Sequence, residues 1–283
     1  MKRNPLIYLG LLLSILSGIY NFQEYKKESP FYFFHLSDPQ FGFLDANKSV
    51  DQEIALYENA VAHINRLEPD FVVITGDFVH NNEDASQWAE FNRITRMIKS
   101  SIPVYLVPGN HEYSQQPTER EFVEYKKTYG DDKFSVTHKN SLLLGINSTL
   151  INSEFHALEK EQFDWLESQL KNAGKVKHIF LFTHHPFFVE SAEEPDKYSN
   201  IVLEKRRKYL DLLEKYKVRA VFNGHLHRNS HLKYKGTDMI ASSAVGKQLG
   251  KDLSGLRVIK VSKGGFTSDY YGLEDLDNVE LER

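Results

Sequence analysis

The chain has 283 residues, a formal charge of −4 at pH 7 and no cysteine. Hydrophobic residues make up 41% and charged residues 26%, which excludes a disordered or fibrous chain. The mildly acidic balance argues against nucleic acid as a partner, because nucleic-acid binding usually needs a basic face. The absence of cysteine excludes disulfides, thiolate catalysis and cysteine zinc sites, so any metal must be held by His, Asp, Glu, Asn or Gln.

The N-terminus carries a short apolar segment that is separable from the rest of the chain. Lys2 and Arg3 precede an uncharged apolar run at 6–19, which would span about 21 Å as a helix, short of the roughly 30 Å hydrocarbon core. This pattern predicts a signal sequence within residues 1–29. No good cleavage site follows, so an uncleaved anchor that enters the membrane through residues 6–22 stays open, and so does a buried helix. We expect the protein to be exported to the periplasm or the extracellular space, or anchored in the membrane with its domain facing out.

Continuous apolar runs alternate with amphipathic stretches from residue 31 onward. The apolar runs predict strands at 31–36, 71–74, 104–107, 179–182 and 220–222. The amphipathic stretches predict helices at 51–67, 88–98, 158–170 and 209–216. Buried strands separated by helices indicate an α/β fold with a largely parallel sheet covered on both faces.

Shorter alternating segments complete the strand inventory. They lie at 134–136, 142–146, 231–234, 239–241 and 256–261, and they predict antiparallel additions that widen the sheet or form a second one. No repeat or linker interrupts the chain, so we predict one catalytic domain over residues 30–273. The acidic end of the chain, residues 274–283, is predicted to fray.

Polar side chains follow each of the five apolar strands directly. In chain order they are Asp38 with Gln40, Asp77, Asn110 with His111 and Glu112, His184, and His225 with His227. Each of these motifs alone is more typical of a turn or a helix cap than of a functional site. Ligands of open α/β sheets bind outside the carboxyl ends of the strands. Five such strand ends therefore predict a site for chemistry at one edge of the sheet.

The ordered set of motifs resembles the calcineurin-like metallophosphoesterase superfamily. The segments that carry the resemblance are SDPQ at 37–40, GD at 76–77, GNHE at 109–112, His184, and GHLH at 224–227. Further segments, YGDDKFS at 129–135 and SSAVGKQLG at 242–250, are similar to the branch typified by calcineurin-like phosphoesterase domain-containing protein 1. The resemblance covers residues 31–273 and implies a four-layer αββα sandwich.

The same resemblance implies two divalent metal ions. One would be held by Asp38, Gln40 and His227, the other by Asn110, His184 and His225, with Asp77 bridging them. Gln40 stands where the superfamily usually has His. Because an amide oxygen is a harder donor than imidazole, the first ion should be held more weakly, with Mn²⁺ or Mg²⁺ better tolerated. The identity of the ions, whether Mn, Mg, Fe or Zn, stays open.

For His111, the resemblance implies stabilisation of the phosphoryl oxygens and protonation of the leaving alkoxide. Glu112 either orients His111 or is an exposed acid of the loop.

We therefore predict metal-dependent hydrolysis of a phosphomonoester, carried by a small molecule or a protein, through a hydroxide that the two metals share. The resembling branch adds phosphoserine and phosphothreonine proteins as substrates, although Asp77 is not followed by the Asp-Arg-Gly of the larger protein phosphatase family. Two alternatives stay open. One is a phosphodiesterase acting on cyclic nucleotides or lipid head groups, and the other is a non-catalytic metal-binding scaffold. The sequence leaves the oligomeric state open.

Overall fold

The structure is a computed structural model that describes residues 29–282. The apolar segment at 6–22, predicted to be a signal sequence or an anchor, lies outside the described residues. Within residues 29–282, no helix is both long enough and apolar enough to cross a membrane.

Eleven strands and six α-helices make up the described part of the chain. The strands are β1 (Phe31–Leu36), β2 (Phe71–Thr75), β3 (Val104–Val107), β4 (Phe134–His138), β5 (Ser141–Gly145), β6 (His178–Phe182), β7 (Ala220–Asn223), β8 (Ser230–Tyr234), β9 (Thr237–Ala241), β10 (Gly255–Ser262) and β11 (Gly265–Gly272). The helices are α1 (Asp51–Leu67), α2 (Ala85–Thr95), α3 (Glu119–Tyr129), α4 (Ser148–Asn152), α5 (His156–Lys171) and α6 (Leu203–Lys215).

The strands form two sheets. The first has the order β11-β10-β1-β2-β3, and the second has the order β4-β5-β6-β7-β9-β8. The five strands predicted from continuous apolar runs are parallel to their neighbours within this set: β1 with β2, β2 with β3, and β6 with β7.

Two of the shorter segments run only partly as predicted. The sequence predicts antiparallel additions at 142–146 and 239–241; β5 and β9 each have one antiparallel neighbour, but β5 is parallel to β6 and β9 is parallel to β7. The antiparallel partners are β4 and β8, each joined to its neighbour by a hairpin. Each hairpin reverses the chain once, and the alternation of polar and apolar residues in a short strand does not record its direction.

Aromatic side chains fill the space between the two sheets. Phe33 of β1 is stacked on Phe71 at 5.0 Å between ring centroids and meets Phe222 of β7 edge-on at 5.7 Å. Alternate residues of the strands face outward, where Ile74 of β2 belongs to one hydrophobic cluster with Tyr57 of α1, and Leu181 of β6 belongs to another with Tyr209 of α6. Helices thus cover the outer face of each sheet, and the predicted four-layer αββα sandwich is confirmed.

The sequence interpretation missed two helices, α3 and the short α4, and a local signal was available for the longer one, α3. Helix α3 exposes most of its surface and buries only Phe122 and Tyr125, so its apolar period is weak. It begins with a capping box, in which Thr118 accepts from the backbone N–H of Glu121 while the Glu121 side chain accepts from the backbone of Thr118. That pair satisfies two N–H groups at the helix start and was the available signal.

The acidic C-terminal segment is packed against the domain, contrary to the predicted fraying. Asp275–Asn278 forms a 3₁₀ turn, and Leu276 in its centre is fully buried. The Arg66 guanidinium of α1 donates to the carbonyl oxygens of Leu276 and Val279. Leu276 and the partly buried Val279 and Leu281 pack on the core of the first sheet, so apolar burial and the Arg66 hydrogen bonds together hold this segment among its acids.

Candidate metal centre

Two groups of buried side chains meet at the carboxyl ends of strands from both sheets. The first consists of Asp38, Asp77 and His227, and the second of Asp77, His184 and His225. Within each group the potential ligand atoms all lie within 4.8 Å of one another. Asp77 belongs to both groups, as a residue that bridges two ions must. The sequence analysis predicted that side chains after the strands would meet at one edge, and this holds even for Asp38 and His227, which lie almost 190 residues apart in the chain.

In the first group, the donors are already oriented. Asp38 Oδ1 lies 3.3 Å from His227 Nε2. The Nδ1 atom of His227 faces the carbonyl oxygen of Lys247, which can only accept, so Nδ1 carries the hydrogen and Nε2 presents its lone pair. The backbone N–H of His225 donates to Asp38 Oδ2 at 3.0 Å and holds the carboxylate in place.

Gln40 provides the clearest sign that the first group fits a cation. Its Oε1 atom is buried and has no hydrogen-bond partner among residues 29–282. An unsatisfied buried acceptor normally costs about 1–3 kcal/mol, so it calls for a partner of another kind. A divalent ion beside Asp38 and His227 would be such a partner for the amide oxygen.

The second group is crowded around one ring nitrogen. His184 Nε2 lies 3.1 Å from Asn110 Oδ1, 3.1 Å from His225 Nδ1 and 3.2 Å from Asp77 Oδ2. His184 Nδ1 donates to the carbonyl oxygen of Thr75 at 2.7 Å, so the lone pair of Nε2 points into this cluster. Acceptor atoms that converge in this way repel one another unless a proton or a cation lies among them.

The electrostatics of the second group agree with a cation site. Burial alone would lower the pKa of His184, but the charge of Asp77 and its hydrogen bond raise that pKa to about 9. Burial and the neighbouring His184 lower the pKa of His225 to about 4. Burial alone would raise the pKa of Asp77, yet the charges of His184 and His111 hold it well below its usual range. The carboxylate is therefore ionised, and a metal ion would take the place of the His184 proton.

Strained backbone marks the same residues. Asp38, Gln40, Asp77, His225 and His227 all adopt the left-handed region, with φ values of 52°, 38°, 49°, 66° and 48°. Such a conformation costs a non-glycine residue on the order of 1–3 kcal/mol and persists only where the surroundings enforce it. The strained residues thus coincide with five of the proposed metal ligands.

Gly224 is required by close approach. A Cβ atom at this position would overlap the Ser37 hydroxyl and the Asp38 carboxylate. The glycine therefore lets the turn after β7 pass directly over the turn after β1, and this contact brings His225 and His227 to Asp38.

Glu112 has a different task from the predicted one. The sequence interpretation has it orienting His111 or lying exposed, but its carboxylate is buried and accepts from the backbone N–H groups of Gly109 at 2.5 Å, Asp77 at 2.8 Å and Phe78 at 2.7 Å. Burial and the charge of Asp77 raise its pKa to about 8, against the opposing effect of these donors. Glu112 thus ties the turn after β2 to the turn after β3.

His111 lies at the border between the metal-ligand groups and an adjoining cavity of about 530 Å³. Its backbone N–H donates to Asp77 Oδ1 at 2.9 Å, and its Nδ1 donates to the carbonyl oxygen of His80 at 2.9 Å. The His111 ring is stacked on the His80 ring at 5.0 Å, and His80 is stacked in turn on Phe43. The ring is thus fixed in position through Nδ1, and Nε2 takes no part in that hydrogen bond.

Ligand groups that share a carboxylate, placed at the strand ends of an αββα sandwich, are the arrangement that a metal-dependent phosphoesterase requires. The chain belongs to the calcineurin-like phosphoesterase family, whose pattern matches residues 31–229. The resemblance stated from the motifs is thereby confirmed. The donor set fits two divalent metal ions.

Several known proteins are similar to this chain over most of their length. Serine/threonine-protein phosphatase CPPED1 of Bos taurus is 38% identical over 279 residues, which cover 92% of this chain and 89% of that protein. The Homo sapiens protein of the same name is 36% identical over 280 residues, with the same coverage. A probable glycerophosphodiester phosphodiesterase, GpdQ, of Arcobacter nitrofigilis is 32% identical over 217 residues, covering 75% of this chain and 76% of its own.

A solved structure shares the fold. A dimetal phosphatase from Danio rerio superimposes with a TM-score of 0.66 over 89% of this chain and 98% of its own, at 15% identity. At that identity the likeness concerns the fold alone.

Proposed function

We propose that the chain hydrolyses phosphomonoesters, with phosphoserine and phosphothreonine in proteins as its substrate class. Asp38, Gln40 and His227 would hold one metal ion, Asn110, His184 and His225 the other, and Asp77 both. The observation that carries this proposal is the pair of ligand groups that share Asp77, with the unpartnered Gln40 oxygen at one of them. The CPPED1 relatives support the substrate class.

The bound metals would supply Lewis-acid activation of water and of the phosphoryl oxygens. The chain's own contribution to bond cleavage is His111. His111 acts as the imidazolium: its Nδ1 hydrogen is engaged by the His80 carbonyl, and the proton that can be transferred is the one on Nε2. As the oxygen of hydroxide, formed from water by loss of a proton to the solvent, bonds to phosphorus, the bond from phosphorus to the leaving oxygen breaks and that oxygen takes the Nε2 proton. The neutral imidazole then regains a proton from the solvent. The leaving group departs as a neutral alcohol.

The cavity beside His111 suits an uncharged polar leaving group. It is lined by Asn110, Tyr113, Ser114, Asn152, Tyr198 and Asn200, among others. The lysine that lines it, Lys197, forms ion pairs with Glu190 and Glu194, with 3.7 Å between nitrogen and oxygen in each pair. Among the lining residues, a polyanionic leaving group would find no lysine or arginine that is not already paired with an acid, whereas a seryl or threonyl side chain with its flanking peptide groups finds hydrogen-bonding partners.

The test is a paired substrate assay on residues 30–283. We expect p-nitrophenyl phosphate and a phosphoserine peptide to be hydrolysed in preference to bis(p-nitrophenyl) phosphate, with Mn²⁺, Mg²⁺ or Zn²⁺ restoring the activity that a chelator removes. Preference for the diester would favour the phosphodiesterase alternative, which the similarity to GpdQ supports. Two bound metals without turnover of any of these substrates would favour the scaffold.

We also propose that residues 1–29 direct export or anchor the domain facing out, on the basis of Lys2, Arg3 and the apolar run at 6–19. The expected result is that the full chain, expressed in a bacterium, is found in the periplasm or the membrane, where added protease degrades it once the outer membrane is opened. Lys2→Glu with Arg3→Glu should reduce this export. Recovery of the wild-type chain entirely in the cytosol would contradict the proposal.

A further inference from the structure

Tyr198 is an exposed residue that contacts two of the proposed ligands of the second metal. It lies in the irregular segment between β6 and α6, with 74% of its surface exposed. Its hydroxyl accepts from Asn110 Nδ2 at 2.8 Å, and its backbone carbonyl faces His225 Nε2 at 3.1 Å. The Tyr198 ring also packs on the His225 ring, with centroids 4.9 Å apart.

The contact with Asn110 sets the orientation of its amide. An amide has an acceptor oxygen on one side and a donor nitrogen on the other, and only the oxygen can bind a metal. Since the Tyr198 hydroxyl takes a hydrogen from Nδ2, Oδ1 is directed to the opposite side, where it lies 3.1 Å from His184 Nε2.

The contact with His225 sets its tautomer. A carbonyl oxygen only accepts, so His225 Nε2 carries the hydrogen and Nδ1 has the free lone pair. That Nδ1 atom lies 3.1 Å from His184 Nε2, inside the second ligand group. Tyr198 therefore orients both the amide of Asn110 and the imidazole of His225. These are the two proposed ligands of the second metal besides His184 and Asp77.

Three of the remaining ligands are held without Tyr198. His184 is fixed by the carbonyl of Thr75 and His227 by the carbonyl of Lys247. Asp38 is fixed by the backbone N–H of His225. The two metal sites thus differ in how they are built, because one of them depends on an exposed loop residue.

The segment that carries Tyr198 is fastened by contacts of its own. Glu194 accepts from the backbone N–H groups of Val189 and Glu190 at 2.7 and 2.9 Å. The buried Arg206 of α6 donates to the carbonyl oxygens of Ala192 and Glu194. Next to Tyr198, the backbone N–H of Lys197 donates to Asn200 Oδ1 at 3.0 Å, so the neighbouring backbone is held without the Tyr198 hydroxyl.

We propose that Tyr198 is a positioning residue that sets the affinity of the second metal site and leaves that of the first unchanged. The inference rests on the metal assignment made in the proposed function. Loss of a group that orients a metal ligand typically weakens the metal about 10- to 100-fold, so a selective effect of this size is measurable.

The test compares Tyr198→Phe with the wild-type chain by calorimetric titration with Mn²⁺ and by metal analysis after dialysis. The variant removes the hydroxyl and keeps both the ring and the backbone carbonyl. We expect one Mn²⁺ dissociation constant to rise about tenfold, the other to stay within twofold, and the thermal unfolding midpoint of the metal-free chain to be unchanged. Activity lost at low Mn²⁺ should return at high Mn²⁺.

Tyr216→Phe is the matched control. Tyr216 follows α6, just before β7, and so lies at the opposite end of that strand from His225. Both constants of the control should match those of the wild type. If Tyr198→Phe leaves both constants within twofold, or raises both equally, the inference is wrong. Wild-type chain that binds fewer than two Mn²⁺ ions would instead overturn the metal assignment on which the inference rests.

Discussion

Asp77→Ala is expected to remove both metal ions and the hydrolytic activity in a single step. Asp77 is the carboxylate that the two ligand groups share, so its loss takes a ligand from each. It also removes the negative charge that His184 faces at 3.2 Å and the acceptor for the His111 backbone N–H. Metal-based stabilisation of a phosphoryl-transfer transition state is worth several kcal/mol, which corresponds to a fall in turnover of about 10³-fold or more.

The measurement is metal content per chain, by elemental analysis after dialysis against Mn²⁺, together with turnover of p-nitrophenyl phosphate. Asp70→Ala is a suitable control, because Asp70 precedes β2 at the end opposite Asp77 and holds Tyr32 and His138 by hydrogen bonds. The control should lose stability but keep two ions. If Asp77→Ala keeps two ions, the bridging assignment is wrong.

The candidate site was predictable because strand ends are visible in a sequence. Continuous apolar runs such as 71–74 and 179–182 locate buried strands, and the residue after each run then falls at a sheet edge. Asp77 and His184 were found in this way, and the structure places them together. That the edge belongs to two packed sheets was implied by the family resemblance, since apolar runs do not say which strands share a sheet.

Other features depend on contacts that no local pattern records. Glu112 reads as a loop acid, yet it is buried and binds backbone N–H groups of two turns that are more than 30 residues apart. Tyr198 is one aromatic residue in an acidic segment without periodicity. Leu276 fixes a tail whose composition alone favours solvation. In each case the partner lies far away in sequence, so the side chain's role exists only in the folded chain.

The geometry of the site also explains why its turns are strained. Two ligand groups that share Asp77 require side chains from both sheets within a few ångströms, a distance that regular strand ends do not reach. Left-handed backbone at Asp38, Asp77 and His225 turns these side chains inward. Gly224 and the hydrogen bonds of Glu112 hold the turns against one another. The packing of the αββα core offsets the free-energy cost of this strained backbone.

His111→Ala is expected to lower turnover about 10²- to 10⁴-fold while the metal content stays near that of the wild type. The His111 ring makes no contact with the imidazoles of His184 or His225 among the ring contacts of residues 29–282, and it is held by His80 instead. Its removal therefore leaves the ligand donors in place. The substitution instead removes the group that protonates the leaving oxygen and stabilises the phosphoryl oxygens.

Leaving groups of different basicity separate these two roles. p-Nitrophenolate leaves readily without a proton, whereas the alkoxide of a phosphoserine peptide must be protonated as it departs. If Nε2 is the acid, His111→Ala will reduce peptide turnover much more than p-nitrophenyl phosphate turnover, and His156→Ala, at the exposed start of α5, will affect neither. An equal loss on both substrates would show that His111 acts only on the phosphoryl oxygens. Unchanged turnover with two metals bound would remove His111 from the mechanism altogether.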